Sequence, residues 1–218
     1  MFKKGFTLSE VLITLGVVGV VAAMTIPSLV NKYREKVTVT KLEKFYSSMS
    51  QQFQLNLAKE IDNPYSKENL LSSFKVKKIC PPSDLSCAPE EYYYYNGNRL
   101  YVWGKYDNDR NIYDYAVLQD GIILRFREFE NCNGIFGTTK ELQSVCDSIY
   151  VDINGNLKPN TLGKDVFAFY ITKNTIIPTG TPENTSLYDQ FKDCKKWGYG
   201  CTYYVLQHKT LNYDKYKL

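Results

Sequence analysis

Histidine is nearly missing: the 218-residue chain has one, His208, close to its C-terminus. A Ser-His-Asp or Cys-His catalytic arrangement would have to use it, and no nucleophile motif surrounds it. The chain also lacks a P-loop, a G-x-G-x-x-G element and any C-x-x-C spacing, so nothing points to a phosphate-binding loop, a zinc site or a thiol redox motif. Glu128 and Glu130 would share one strand face and could mimic a glycosidase pair, but a solvated strand face accounts for them equally well. A large excess of one charge is absent too. The formal net charge is +4, of which Lys3, Lys4 and Glu10 make up +1, leaving +3 on residues 31 to 218. That is too little to imply nucleic acid by itself. No internal repeat and no low-complexity segment is visible. No enzyme is expected.

What is present is a chain 44% hydrophobic and 15% aromatic, enough for one globular core with an appended segment. Its 19 tyrosines favour strands. Six cysteines fall in three close pairs, Cys80/Cys87, Cys132/Cys146 and Cys194/Cys201. An even count behind an apolar N-terminal segment suits an oxidising compartment. Six cysteines allow about 15 connectivities; local pairing is the favoured one, and buried reduced thiols are the alternative.

The longest apolar run is "KKGFTLSEVLITLGVVGVVAAMTIPSLV", residues 3 to 30. From Phe6 to Val30, Glu10 is the sole charge. At about 1.5 Å per residue those residues span roughly 37 Å, enough for a hydrocarbon core of about 30 Å. Three readings compete. A cleaved secretory signal explains the basic start and the small residues Ala22-Ala23, but Glu10 and the helical pattern after Pro27 oppose it. A plain anchor explains the length and leaves a carboxylate in lipid, which costs several kcal/mol without a partner. In the third reading the chain is cut between Gly5 and Phe6. Phe6 then carries a new α-amino group, and Glu10 can pair with the N-terminal amine of a neighbouring subunit and mark assembly register.

These residues closely resemble the type IV prepilin signature: a short basic leader ending in Gly5, the Phe6 start, Glu10 as fifth mature residue, an apolar stretch and Pro27. The resemblance covers about 25 residues. It implies cutting after Gly5 by a membrane aspartyl peptidase and N-methylation of Phe6. Type IV pilins and the pseudopilins of type II secretion and competence share it, so it indicates a kind of machine and not which one.

Beyond the apolar run, Tyr33, Val37, Phe45, Met49, Phe53, Leu57 and Ile61 recur at steps of four or eight, with Leu42 and Tyr46 beside them. This predicts that an amphipathic helix continues over residues 31–63, with Asp62-Asn63-Pro64 ending it. Residues 64–218 form the expected head. Pro81-Pro82 and the Cys80/Cys87 spacing suggest a stapled loop. "EEYYYYNGNRLYVWG" and "IYDYAVLQDGIILRFREF" place Asn96-Gly97 and Asp120-Gly121 between β-prone runs, which predicts two hairpins. The tyrosines 92 to 95 read as strand residues facing core and solvent in turn. The expected fold is α+β, a long N-terminal membrane-spanning helix packed against an antiparallel β-sheet head.

A second motif lies in "VDINGNLKPNTLGKDVFAFYI", residues 151 to 171. Asp152, Asn154 and Asn156 are spaced by two and Asp165 follows; oxygen donors so arranged can wrap a hard cation such as calcium. The EF-hand pattern itself is not met, because Gly155 comes too early and Gly163 stands where its glutamate should be. A polar turn with Asx side chains bonding their own backbone is the alternative. The stretch resembles an element found in bacterial pilin-like proteins of the type II secretion kind. "CKKWGYGCTYYVLQ" resembles the disulfide-bounded C-terminal loop of type IV pilins.

The resemblance implies a structural subunit of a type IV pilus or type II secretion pseudopilus, residues 1–5 its leader and 6–30 its membrane and assembly helix. It would sit in the cytoplasmic membrane with its head outside the cytoplasm. Its implied partners are prepilin peptidase, other pilin or pseudopilin subunits, inner-membrane assembly machinery and membrane lipid. No cofactor is required, calcium is an option, and the alternative is a minor pilin serving as a binding module for DNA, a surface or an exported protein.

Overall fold

The computed structural model describes residues 7–81, 84–87, 89–100, 114–183 and 194–215. Gly5, Phe6, Pro82 and the 101–104 end of the first expected hairpin lie outside these residues. The chain divides into two compact units, Met1–Val37 and Thr38–Leu218. One helix, α1 (Leu8–Ala58), runs through the boundary and contains Pro27.

In the first unit most side chains of α1 as far as Val30 are apolar and exposed, Leu12, Leu15, Val18 and Met24 among them. Among the described residues α1 is the one helix long and apolar enough to cross a membrane. In the second unit the same helix turns amphipathic. Val39, Leu42, Phe45, Met49 and Phe53 are buried at steps of three and four, which is the spacing of one helix face. Asn56 continues the stripe as a buried polar residue. Its Nδ2 donates to the Pro64 carbonyl at 3.1 Å and its Oδ1 accepts from Gln52 at 2.7 Å. Tyr33, expected in the stripe, is 68% exposed.

The helix ends at Ala58, ahead of the Asp62-Asn63-Pro64 breaker. Glu60 takes a left-handed φ of 51°. Ile61 N–H donates to Asn56 C=O and Glu60 N–H to Leu57 C=O, a Schellman closure. Glycine normally occupies that position, so the stop carried no compositional signal. Glu60→Gly is expected to stabilise the head by about 0.5 kcal/mol, since glycine removes the Cβ penalty and returns part of it as unfolded-state entropy. Urea unfolding checks this; a lower midpoint would show that the Glu60 side chain contributes more than its backbone costs.

The main sheet has six antiparallel strands in the order β1 (Val76–Cys80), β4 (Asp114–Leu118), β5 (Ile123–Glu128), β6 (Val145–Asp152), β7 (Val166–Thr172), β8 (Ile176–Pro178). One face, with Leu124, Phe126, Ile149, Val151, Phe167 and Phe169, buries the apolar stripe of α1 from Val39 onward. The other face carries Tyr150, Ala168 and Tyr170. Strands β6 and β7 are buried on both faces; β7 reads as a near-continuous apolar run without alternation, and β6 carries the buried polar residues Asp147, Ser148 and Asp152. The outer strands differ from the inner ones. In β1, Lys77, Lys78 and Ile79 are exposed and the register slips between Val76 and Lys78. Strand β8 is three residues long and ends at Pro178.

Both glycine turns form, in the three-residue form rather than the two-residue one. Gly97 N–H donates to Tyr94 C=O and Gly121 N–H to Leu118 C=O, with φ of 88° and 89°. Asn96 and Asp120 each use Oδ1 to accept from the amide two residues on. The first hairpin does not join the main sheet. Its strands, β2 (Tyr92–Tyr93) and β3 (Arg99–Leu100), form a separate ribbon whose Tyr92 and Leu100 belong to the cluster on the sheet's second face. Of the tyrosine run, Tyr92 is buried and Tyr93 to Tyr95 are half-buried. Tyr94 stands edge-on to Trp197 and Tyr95 edge-on to Tyr213. These rings therefore fasten the C-terminal segment, which holds the short helices α3 (Cys194–Trp197) and α4 (Cys201–His208). A further helix, α2 (Lys67–Leu71), is capped by Ser66. The cysteines pair locally: Cys80–Cys87, Cys132–Cys146 and Cys194–Cys201.

Candidate functional site

At the start of α1, Thr7 and Glu10 form a reciprocal cap. The Thr7 amide and hydroxyl both donate to Glu10 Oε2 at 2.8 Å, and the Glu10 amide donates back to Thr7 Oγ1 at 3.3 Å. This is the S/T-x-x-E capping box, which satisfies amides that the first helical turn leaves unpaired. "TLSE" carries that signal openly, and the cap adds a role within the chain to the intermolecular one expected for Glu10. Further along, Thr25 Oγ1 donates to Val21 C=O at 2.9 Å, two residues before Pro27 interrupts the ladder.

The second candidate is the 13-residue connection between β6 and β7, whose ends pair as Asp152↔Val166. Asp165 turns back into it. Its Oδ2 accepts from Asn160 N–H at 2.9 Å and its Oδ1 from Thr161 N–H at 2.6 Å. Asn160 has a left-handed φ, and its side-chain amide lies 3.0 Å from the Gly155 and Leu157 carbonyls, which its NH2 suits as donor. Lys158–Pro159 is cis. Gly155 has φ of 65°, and a Cβ there would meet Gly121 O at 2.3 Å, so the connection lies directly on the β4–β5 turn. Gly163, at φ 78°, is pressed against Cys201 Sγ, and its carbonyl accepts from the Tyr213 hydroxyl at 2.5 Å. These contacts tie the connection to the C-terminal disulfide.

The structure brings Asp152, Asn154 and Asp165 together, while Asn156 is exposed. Burial pushes the Asp165 carboxyl up to about 6, against the opposing effect of its backbone donors and the Asn154 side chain. Burial also pushes Asp152 well up, and the neighbouring Asp165 charge adds to it. Hydrogen bonding from the amides of Asn154 and Gly155 and from the Tyr92 side chain opposes that rise. Arg125, 2% exposed, was missed from sequence. It pairs across from Tyr150 and therefore shares a face with Asp152, its guanidinium 5.6 Å from the Tyr150 ring centre. Among the described residues no group of three or more His, Cys, Asp or Glu side chains is arranged to hold a metal.

The third feature is an open groove within the second unit, between α1, the Ser73–Lys75 segment and the β4–β5 turn. Phe45, Phe74 and Ile122 line it, with Lys41, Lys44 and Lys75. Among the described residues none of these lysines has a carboxylate within 4.0 Å. Glu128 and Glu130 are exposed, and His208 is exposed at the end of α4 against Tyr204.

Residues 1–26 match the family model for the prokaryotic N-terminal methylation motif. That motif is the signal carried by type IV pilin-like and pseudopilin precursors, and its implied partners are prepilin peptidase and other pilin subunits. No curated protein and no solved structure matches the chain.

Proposed function

We infer that the protein is a structural subunit of a type IV pilus or type II secretion pseudopilus and not an enzyme, cut after Gly5, methylated at Phe6 and polymerised through α1. The observation that carries this reading is the methylation motif over residues 1–26, joined without a break to a helix whose first half is apolar and exposed. Exposed apolar surface on that scale needs lipid or other copies of itself around it. The cytoplasmic membrane is then its place of insertion, with the inner-membrane assembly machinery and lipid as partners and the disulfide-stapled head outside the cytoplasm. The test is the intact mass of protein purified from its native membranes. A chain beginning at N-methylated Phe6 with three disulfides is expected; a chain beginning at Met1 would reduce α1 to a simple anchor.

A second reading, a minor subunit whose head also binds a partner, draws support from the groove lined by Lys41, Lys44 and Lys75 together with Phe45 and Phe74. Aromatic faces with cations beside them suit single-stranded nucleic acid. Salt-dependent DNA binding by the full chain, lost in Lys41→Ala/Lys44→Ala/Lys75→Ala, is what that reading requires. Its absence leaves the structural role alone.

A further inference from the structure

We propose that the groove between α1, the Ser73–Lys75 segment and the β4–β5 turn is a docking site for a short acidic polypeptide segment of a partner protein. The observation behind it is a set of uncompensated cations beside an apolar floor. Lys41, Lys44 and Lys75 line the groove, and Asp120 is the one acid in the lining. Three lysines against one aspartate leave a surplus of two positive charges. Asp120 is turned to its own loop, its Oδ1 accepting from the Ile122 amide at 3.4 Å. Among the described residues none of the three lysines has a carboxylate within 4.0 Å.

The lysines are gathered at one place. Lys41 and Lys44 are neighbours on one face of α1, three residues apart. Lys75 comes from the opposite wall. It follows Phe74, whose ring centre is 5.6 Å from that of Phe45, the residue after Lys44. The same row of α1 runs on through Ser48 and Gln51 to Leu55, which is 47% exposed. At about 1.5 Å per residue, Lys41 to Leu55 covers roughly 21 Å, the length of about six extended residues. The groove therefore offers cations along part of its length and an apolar contact at its far end.

Three kinds of anion could meet these lysines, and two of them suit the rest of the lining poorly. Single-stranded nucleic acid needs open ring faces on which bases stack. Phe45 is 4% exposed, its ring packed on those of Phe74 and Phe169, so it offers no such face. A lipid acyl chain would cover the Ser48 hydroxyl and the Gln51 and Gln119 amides without bonding them. A polypeptide brings a donor and an acceptor at each residue to those same groups. In an extended segment that alternates acidic and apolar residues, carboxylates lie along one side for the lysines and apolar side chains along the other for Phe74 and Leu55. The space enclosed, about 770 Å³, suits a short segment rather than a folded domain. Docking there goes beyond both readings above and depends neither on cutting at Gly5 nor on DNA binding.

The experiment is a fluorescence anisotropy titration of a rhodamine-labelled hexapeptide, alternating glutamate and leucine, with the full chain in neutral detergent. Saturable binding with a Kd below about 1 mM is expected. Lys41→Ala/Lys44→Ala should weaken it at least tenfold, and so should glutamine in place of glutamate in the peptide. Leu55→Ser, at an exposed position, should weaken it at least threefold. Lys140→Ala/Lys173→Ala, exposed and outside the groove, should leave it unchanged. No saturable binding, equal affinity for the glutamine peptide, an equal loss in Lys140→Ala/Lys173→Ala, or tighter binding of oligothymidylate than of the peptide overturns the proposal.

Discussion

Glu10→Gln is expected to leave cutting after Gly5 intact and to reduce incorporation into polymer by roughly a hundredfold or more. The substitution separates two roles that alanine would remove together. Glutamine at the third helical position still completes a capping box with Thr7, so the helix start seen here survives. What it loses is charge. If the carboxylate pairs with the new α-amino group of a neighbouring Phe6 within lipid, one partner remains buried and unpaired, at a cost of about 3–5 kcal/mol. Thr7→Ala is the complement: it weakens the cap by about 1 kcal/mol and keeps the charge. Near-normal assembly of Glu10→Gln, with impaired assembly of Thr7→Ala, would make Glu10 a helix-capping residue and end the register argument.

Acidification from pH 7 to pH 5 is expected to stabilise the head rather than weaken it. Three buried carboxylates, Asp147, Asp152 and Asp165, have their pKa values raised, in each case chiefly by burial. A carboxylate whose pKa is higher folded than unfolded binds protons preferentially in the folded state, so stability falls as pH rises through that interval. For Asp165 the interval runs from 3.8, its ordinary value, to about 6. The gain is complete below the lower bound and gone above the upper one. Between pH 7 and pH 5 it amounts to about 1–2 kcal/mol from Asp165 alone, or roughly 3–6 °C in midpoint. Arg125 and Tyr92 face the same cluster. Thermal melts in EDTA across this range check it. A midpoint that falls steadily on acidification would mean that these carboxylates are held ionised.

Those carboxylates mark where sequence stopped being sufficient. The helix stripe from Leu42 to Phe53 was legible because burial on one side imposes a spacing of three and four. The turns at Gly97 and Gly121 were legible because few residues adopt positive φ. Local cysteine pairing was legible as the favoured choice among several. Strands β6 and β7 were not resolved as strands, since burial on both faces erases alternation. Asp152, Asn154 and Asp165 were singled out by spacing, but their burial depends on Tyr92, Arg125 and Gly121, all distant in sequence. Arg125 itself, in "ILRFRE", looks like part of a solvated strand until the ribbon of β2 and β3 covers its face. Glu60 ended α1 without the glycine that normally announces such a stop.

The outer strands β1 and β8 have a consequence for any array of these heads held at high local concentration. A strand that joined β1 would meet Lys77 and Lys78 and a slipped hydrogen-bond spacing. One that joined β8 would find three residues and a proline lacking its N–H. At these two edges, neighbouring heads would therefore meet no continuous backbone template through which to zip into one another. In the polymer proposed above, crowding that would drive plainer sheets toward cross-β fibres would leave the heads separate and growth to the helices.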